Sequence, residues 1–274
     1  MQTTPHPLRR VLTANAIAIA SVVLLPLAAG PARAAMDAPS AARLLSLDAN
    51  PAQAGELVYR GATFAQNASA GQPLFRYERR IATTPTGLEA AHLTRDPAQK
   101  LLIAESAQFD ARYALQRFTV QNQQLGYSGE VQVSADGRQL KYSLSDNGTL
   151  STAEEKIDAP ALTGPSIFGF ILAHWSELVA GRTLPVRFVV LKEKTSYGFD
   201  IRAEGVANGQ TTFVMTASSW VIRRFLSPLR VVFNTNDKTV VRYEGRVPPM
   251  QWVADKLVDL DARVDYTPVA ASYR

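Results

Sequence analysis

The 274-residue chain has no cysteine. Disulfides, iron–sulfur clusters, thiolate zinc sites and a lipidated N-terminal cysteine are all excluded by that absence. Histidine is nearly as scarce. Beyond His6 there are only His92 and His174, too far apart in sequence for a metal-ligand spacing, so no cofactor or metal is expected. No glycine-rich phosphate loop precedes a helix and no H-E-x-x-H occurs. "GPSIFG", starting at Gly164, misses the nucleophile elbow G-x-S-x-G by one residue. "HWSE" puts His174 and Glu177 three apart on a helix, a pair that alone falls short of an acid–base site. The chain is therefore expected not to be an enzyme.

An excess of one charge is also missing. The formal net charge is +5, but Arg9, Arg10 and Arg33 fall within residues 1–34 with no acid, leaving +2 for the remainder. Lysine and arginine elsewhere alternate with acids or apolar residues, so the clustered basic footprint of a nucleic-acid binder is absent. The one long apolar run sits near the start. Arg9 and Arg10 precede "VLTANAIAIASVVLLPLAAG", and "ARA" at Ala32–Ala34 offers small residues at a cleavage site. This order reads as a secretory signal over residues 1–34, cleaved near Ala34–Ala35, and the run is short for a membrane span. The expected location is the periplasm, with no transmembrane helix in the mature chain. Residues 35–55, rich in alanine and proline, read as a flexible leader with one short helical turn at "SAARLLSL".

What the chain does have, from residue 56 to 274, is a succession of short alternating segments that read as one β-rich domain. Phe75 and Tyr77 alternate with Arg76 and Glu78. "ADGR" and "DNGT" join alternating runs as tight hairpins. In "VDLDARVDYT", Val258, Leu260, Ala262, Val264 and Tyr266 face one way and polar residues the other. About a dozen antiparallel strands are expected, in a sheet that must curl, split or close.

One segment breaks this rhythm. "GPSIFGFILAHWSELVAG", Gly164–Gly181, reads as a helix, with Pro165 in its first turn and Gly181 past its end. Apolar residues cover most of its circumference, so it is expected to be buried inside the curled sheet. A second short helix is expected in "SSWVIRRFLSPL", where Trp220, Ile222 and Phe225 accompany Arg223 and Arg224. It reads as a connector, or as a lid or anchor at an anionic surface.

An exported, cysteine-free chain of curled antiparallel strands around a buried helix resembles the half-barrel proteins of the Gram-negative periplasm, of the lipoprotein-carrier type. The resemblance is one of architecture over most of the mature chain. It implies lipid or acyl chains as the ligand class. The fold expected is mainly β: a curled sheet or half-barrel wrapped around one apolar helix. Phe168, Ile171, Leu172 and Trp175 are the candidate ligand-binding residues, on the view that helix and sheet leave an apolar gap. The alternatives are a filled-core protein acting through an envelope protein partner, and an outer-membrane barrel.

Overall fold

The structure, a computed structural model, describes residues 39–68, 71–224 and 226–269. The segment read from sequence as a secretory signal, Phe225 and the last five residues lie outside these. Fifteen strands form one sheet rather than about a dozen. Eight run in sequence as a meander: β1 (Glu56–Ala65), β2 (Phe75–Thr84), β3 (Gly87–Arg95), β4 (Leu101–Asp110), β5 (Leu115–Asn122), β6 (Tyr127–Val133), β7 (Gln139–Asp146) and β8 (Thr149–Lys156). The second run comprises β9 (Ala161–Leu162), β10 (Leu184–Val190), β11 (Thr195–Ala207), β12 (Gln210–Ala217), β13 (Leu229–Asn234), β14 (Val240–Val253) and β15 (Lys256–Pro268). The two runs join where β1 pairs antiparallel with β15, from Tyr59–Pro268 to Ala65–Ala262. The first and last strands thus meet in the middle of the sheet, and its free edges are β8 and β9.

The turn chemistry does what the sequence suggests. Asn147 and Gly148 both take positive φ, as do Asn208 and Gly209 between β11 and β12. Two-residue turns of this kind match the twist of the flanking strands. In β15, Leu260, Ala262 and Val264 are buried while Asp259, Asp261 and Asp265 are not.

The free edges face each other without a ladder. Glu155 of β8 accepts hydrogen bonds from Arg187 of β10 at 3.0 Å and from Ser196 of β11 at 2.8 Å. Tyr142 of β7 donates to the same carboxylate at 2.8 Å. Side chains, not backbone, hold the seam. The sheet is curled but not closed, which does not support an outer-membrane barrel.

The apolar segment lies inside the curl. A 3-10 turn at Gly164–Ser166 leads into α2 (Ile167–Ala173), and α3 (Trp175–Val179) follows. Ser166 and Thr163 close the start reciprocally, with Thr163 N–H donating to Ser166 Oγ at 2.6 Å and that hydroxyl donating to Thr163 C=O at 2.9 Å. Gly181, at φ +90°, ends it. Arg182 N–H reaches Glu177 C=O and Gly181 N–H reaches Leu178 C=O, a Schellman closure. The single helix expected is broken at His174, whose φ of −107° and ψ of 18° leave the helical region. Beyond the break Trp175 is buried against Phe213 and Phe233, with ring centroids at 5.0 and 5.6 Å. Ala173, Ser176 and Val179 reach solvent, so the second piece is only half enclosed.

The outer face of the sheet is covered in one place. Helix α1 (Pro39–Ser46) and a 3-10 turn at Pro51–Ala54 lie over β3 and β4. Leu44, Leu47 and Ala54 pack with Ala91, Leu93, Leu101 and Ala104. The segment read as a leader therefore packs on the sheet through Leu44, Leu47 and Ala54, because β3 and β4 present apolar residues on both faces.

Candidate functional site

Between the helix start and the concave face of the sheet lies a cavity of about 580 Å³. That volume falls within the range of roughly 300–1,000 Å³ that ligand sites occupy. It reaches solvent between three elements: the 3-10 turn Leu191–Glu193, the short helix α4 (Trp220–Arg223), and Pro248–Pro249 of β14. The proline pair explains that rim. Neither residue can donate to a ladder, and the register of β14 on β15 slips between Val247 and Gln251. Met250 N–H and C=O pair instead with the side-chain amide of Gln124, each at 2.8 Å, tying β14 to the β5–β6 turn.

One wall is apolar. Phe188, Phe199, Leu229, Ile222 and Leu226 contribute to it, with Phe168 and Ile167 from the helix. The opposite wall is a polar belt, and strand register assembles it. Arg79 of β2 stands opposite His92 of β3, and His92 opposite Glu105 of β4. The next row towards the rim runs Thr94, Tyr77, Gly61 and Tyr266 across β3, β2, β1 and β15.

Arg79, only 4% exposed, lies behind this wall. Its Nη1 donates to Pro165 C=O at 2.9 Å and sits 2.6 Å from His92 Nε2, while its guanidinium carbon is 5.1 Å from the Phe168 ring centre. A guanidinium has no acceptor, so His92 Nε2 must accept and the ring proton sits on Nδ1. Burial, then the nearby Arg79 charge, holds the His92 pKa well below the usual histidine value. His92 Nδ1 faces Glu105 Oε2 at 3.9 Å, beyond hydrogen-bonding distance. Burial pushes the Glu105 carboxyl up to about 7.

Tyrosines complete the belt. The Tyr77 hydroxyl is buried and donates to no acceptor, since the Arg79 guanidinium beside it can only donate. Burial raises Tyr77, Tyr243 and Tyr266 above the usual phenol range and Tyr127 to about 12, so all are neutral donors at ordinary pH. Tyr266 packs edge-on to Tyr77 and to Phe168, both with centroids at 5.5 Å.

Of the four helix residues proposed from sequence, Phe168 lines this cavity. Ile171 is buried towards β11, β12 and β13, Trp175 packs on Phe213 and Phe233, and Leu172 is partly buried against the core. The polar belt escaped the sequence reading, although a signal existed. Arg79 stands in phase with Tyr77 and Ile81, and Glu105 with Ile103, Ala107 and Phe109. A charge on the apolar phase of a strand is the mark of a buried functional or structural group. A second depression, about 600 Å³, opens at the other end by the β4–β5 turn and His174. Among the described residues no three histidine, aspartate or glutamate side chains gather as metal ligands.

No family model matches the chain, and no curated protein sequence matches it. Among solved structures it is similar to the crystal structure of a β-barrel-like protein of domain of unknown function DUF1849 from Brucella abortus. The TM-score is 0.42 and the identity 10%, over 78% of this chain and 98% of that one.

Proposed function

We propose that the chain is an exported, periplasmic envelope protein that binds a small molecule with a lipid-like apolar body. The observation that carries this reading is the cavity of about 580 Å³, with its mostly apolar lining and its opening to solvent. Export rests on the arginine pair, apolar run and "ARA" of the first 34 residues. The site is read as binding rather than catalytic because the one unprotonated nitrogen of His92, Nε2, is engaged by Arg79 and cannot take a proton from a substrate. Its Nδ1 carries the ring proton and stands 3.9 Å from Glu105, so the ring offers a donor there and no base. No helix among the described residues is long and apolar enough to cross a membrane.

Titration with a fluorescent fatty-acid analogue tests the reading. Saturable one-to-one binding is expected, and Leu226→Trp or Ile222→Trp, which fill the apolar wall, should abolish it while circular dichroism stays unchanged. Absence of saturable binding to the folded protein would remove the proposal. A second reading, action through an envelope protein partner, draws on Trp220 and Trp252, which are 67% and 69% exposed. Replacing both with serine should leave ligand binding intact and abolish any partner association seen by cross-linking in the envelope.

A further inference from the structure

The polar belt adds a second, chemically specific element to the cavity. Its role rests on the reading of that cavity as a ligand site. We propose that the cavity selects amphiphiles with a carboxylate head, held at the inner end by the Tyr77 hydroxyl and the Glu105 carboxyl, with the Arg79 charge behind them.

Three features of the wall point to this head group. Arg79 is a buried cation with no carboxylate partner among the described residues; its hydrogen bonds go to His92 and a backbone carbonyl. A buried charge is costly unless an opposite charge meets it. The Tyr77 hydroxyl, beside Arg79 on the same strand face, is a donor left without an acceptor. Glu105 lines the cavity, 7% exposed, with His92 Nδ1 too far to hydrogen-bond. A ligand carboxylate is acceptor-only. It takes a hydrogen bond from Tyr77 and one from Glu105 in its acid form, and it supplies the negative charge that Arg79 lacks. A fatty alcohol meets the hydrogen bonds in part but leaves the cation uncompensated. A fatty amine adds a second cation beside Arg79. The apolar wall of Phe188, Phe199 and Leu229 takes the chain.

The arrangement has a consequence for protons. The titratable groups around Glu105 are His92 on β3, with Arg79 behind it, Tyr77 on β2, Tyr127 on β6 and Tyr243 on β14. Gly164 at the helix start approaches it without adding charge. His92 and the tyrosines are neutral at ordinary pH, so Glu105 is the group that titrates there. An anion placed beside it favours the protonated carboxyl. Binding therefore takes up a proton, and affinity falls as pH rises above about 7.

The test uses the mature protein and two probes, dodecanoate and 1-dodecanol, by isothermal titration calorimetry. Dodecanoate should bind about fivefold more weakly at pH 9 than at pH 7, as a rise of about one unit on binding, from a carboxyl already half ionised at pH 7, requires. Its binding enthalpy should vary with the ionisation enthalpy of the buffer, which reports the proton taken up. 1-Dodecanol should show neither effect and bind at least about tenfold more weakly at pH 7, the factor equal to a lost charge-assisted hydrogen bond. Glu105→Gln should remove the pH dependence. Tyr77→Phe, which deletes a hydroxyl that has no acceptor and does not threaten the fold, should weaken dodecanoate more than the alcohol, because the lost bond is charge-assisted only for the carboxylate. Equal, pH-independent binding of both probes would leave the cavity-binding reading standing and overturn the carboxylate head. Saturable binding of neither probe would overturn both.

Discussion

Glu105 and Tyr77 are the two residues at which the interior departs furthest from an apolar core, and each makes a prediction for the ligand-free protein. The Glu105 carboxyl titrates near 7 when folded and near 4.5 when unfolded. The folded state thus holds the proton more tightly. Its contribution to stability is full below about 4.5, declines as pH rises from there to about 7, and stays low above. Glu105→Gln keeps the shape and removes the ionisation. It should be no more stable than the parent at pH 4 and more stable at pH 8, by about 1–3 kcal/mol. Chemical denaturation at the two pH values measures this, and an equal effect at both would show that Glu105 is solvated in the cavity. Tyr77→Phe should be neutral or stabilising by up to about 1 kcal/mol, because an unpaired buried hydroxyl has lost its water without replacement. A clear loss of thermal stability would mean that the hydroxyl has a partner in solution.

The break at His174 separates two pieces of helix with different surroundings. The first piece is enclosed up to Ile171, with Phe168, Phe170 and Ile171 buried; the second presents Trp175 and Leu178 inward and Ser176 and Val179 outward. Trp175 forms an aromatic triad with Phe213 and Phe233, whose own centroids are 5.7 Å apart. Trp175→Ala should cost about 3–5 kcal/mol in a denaturation curve. A change within error would place that ring on the surface. On the sheet, Gly129 lets β6 receive the 3-10 turn that carries Leu191. A Cβ there would lie 2.5 Å from Ser143 C=O and 3.1 Å from a Leu191 methyl. The first of these is backbone, which cannot swing away, so Gly129→Ala should cost about 1–3 kcal/mol through overpacking. Because the turn at Leu191–Glu193 also rims the cavity, the same variant should weaken ligand binding.

At the scale of the whole molecule, the sheet begins and ends in its own middle and leaves its weak line at β8 and β9. The β1–β15 ladder is continuous over seven residue pairs. By contrast β9 has two residues, and β8 has no buried position, alternating exposed with half-buried from Leu150 onward. The seam depends on Glu155 receiving Arg187, Ser196 and Tyr142. Glu155→Ala strips three donors of their acceptor and should destabilise by about 1–3 kcal/mol. Hydrogen exchange should show the loss concentrated at β8 and β10, with β1 and β15 little affected. Uniform acceleration across the sheet would mean that the seam and the centre open together.

Local rules were enough for much of this architecture. Asp136-Gly137 and Asn147-Gly148 place hairpins because glycine and asparagine accept positive φ, and the ten-residue alternation of β15 fixes which face is buried. The all-round apolarity of residues 164–181 puts that segment inside, since no other environment would accept it. Three things were decided by the tertiary structure. The break at His174 follows no sequence signal for a helix end there. The strands beyond the expected dozen include the two-residue β9, too short for any periodicity to register. The cavity wall is the clearest case. Tyr77, Arg79, His92 and Glu105 sit on three different strands, and each looks like an isolated polar residue until register sets Arg79 beside His92 and His92 beside Glu105. Alternation tells which face a residue takes, but not which residue stands across from it. That depends on strand pairing, and pairing between distant segments is set by how the whole sheet closes around its helix.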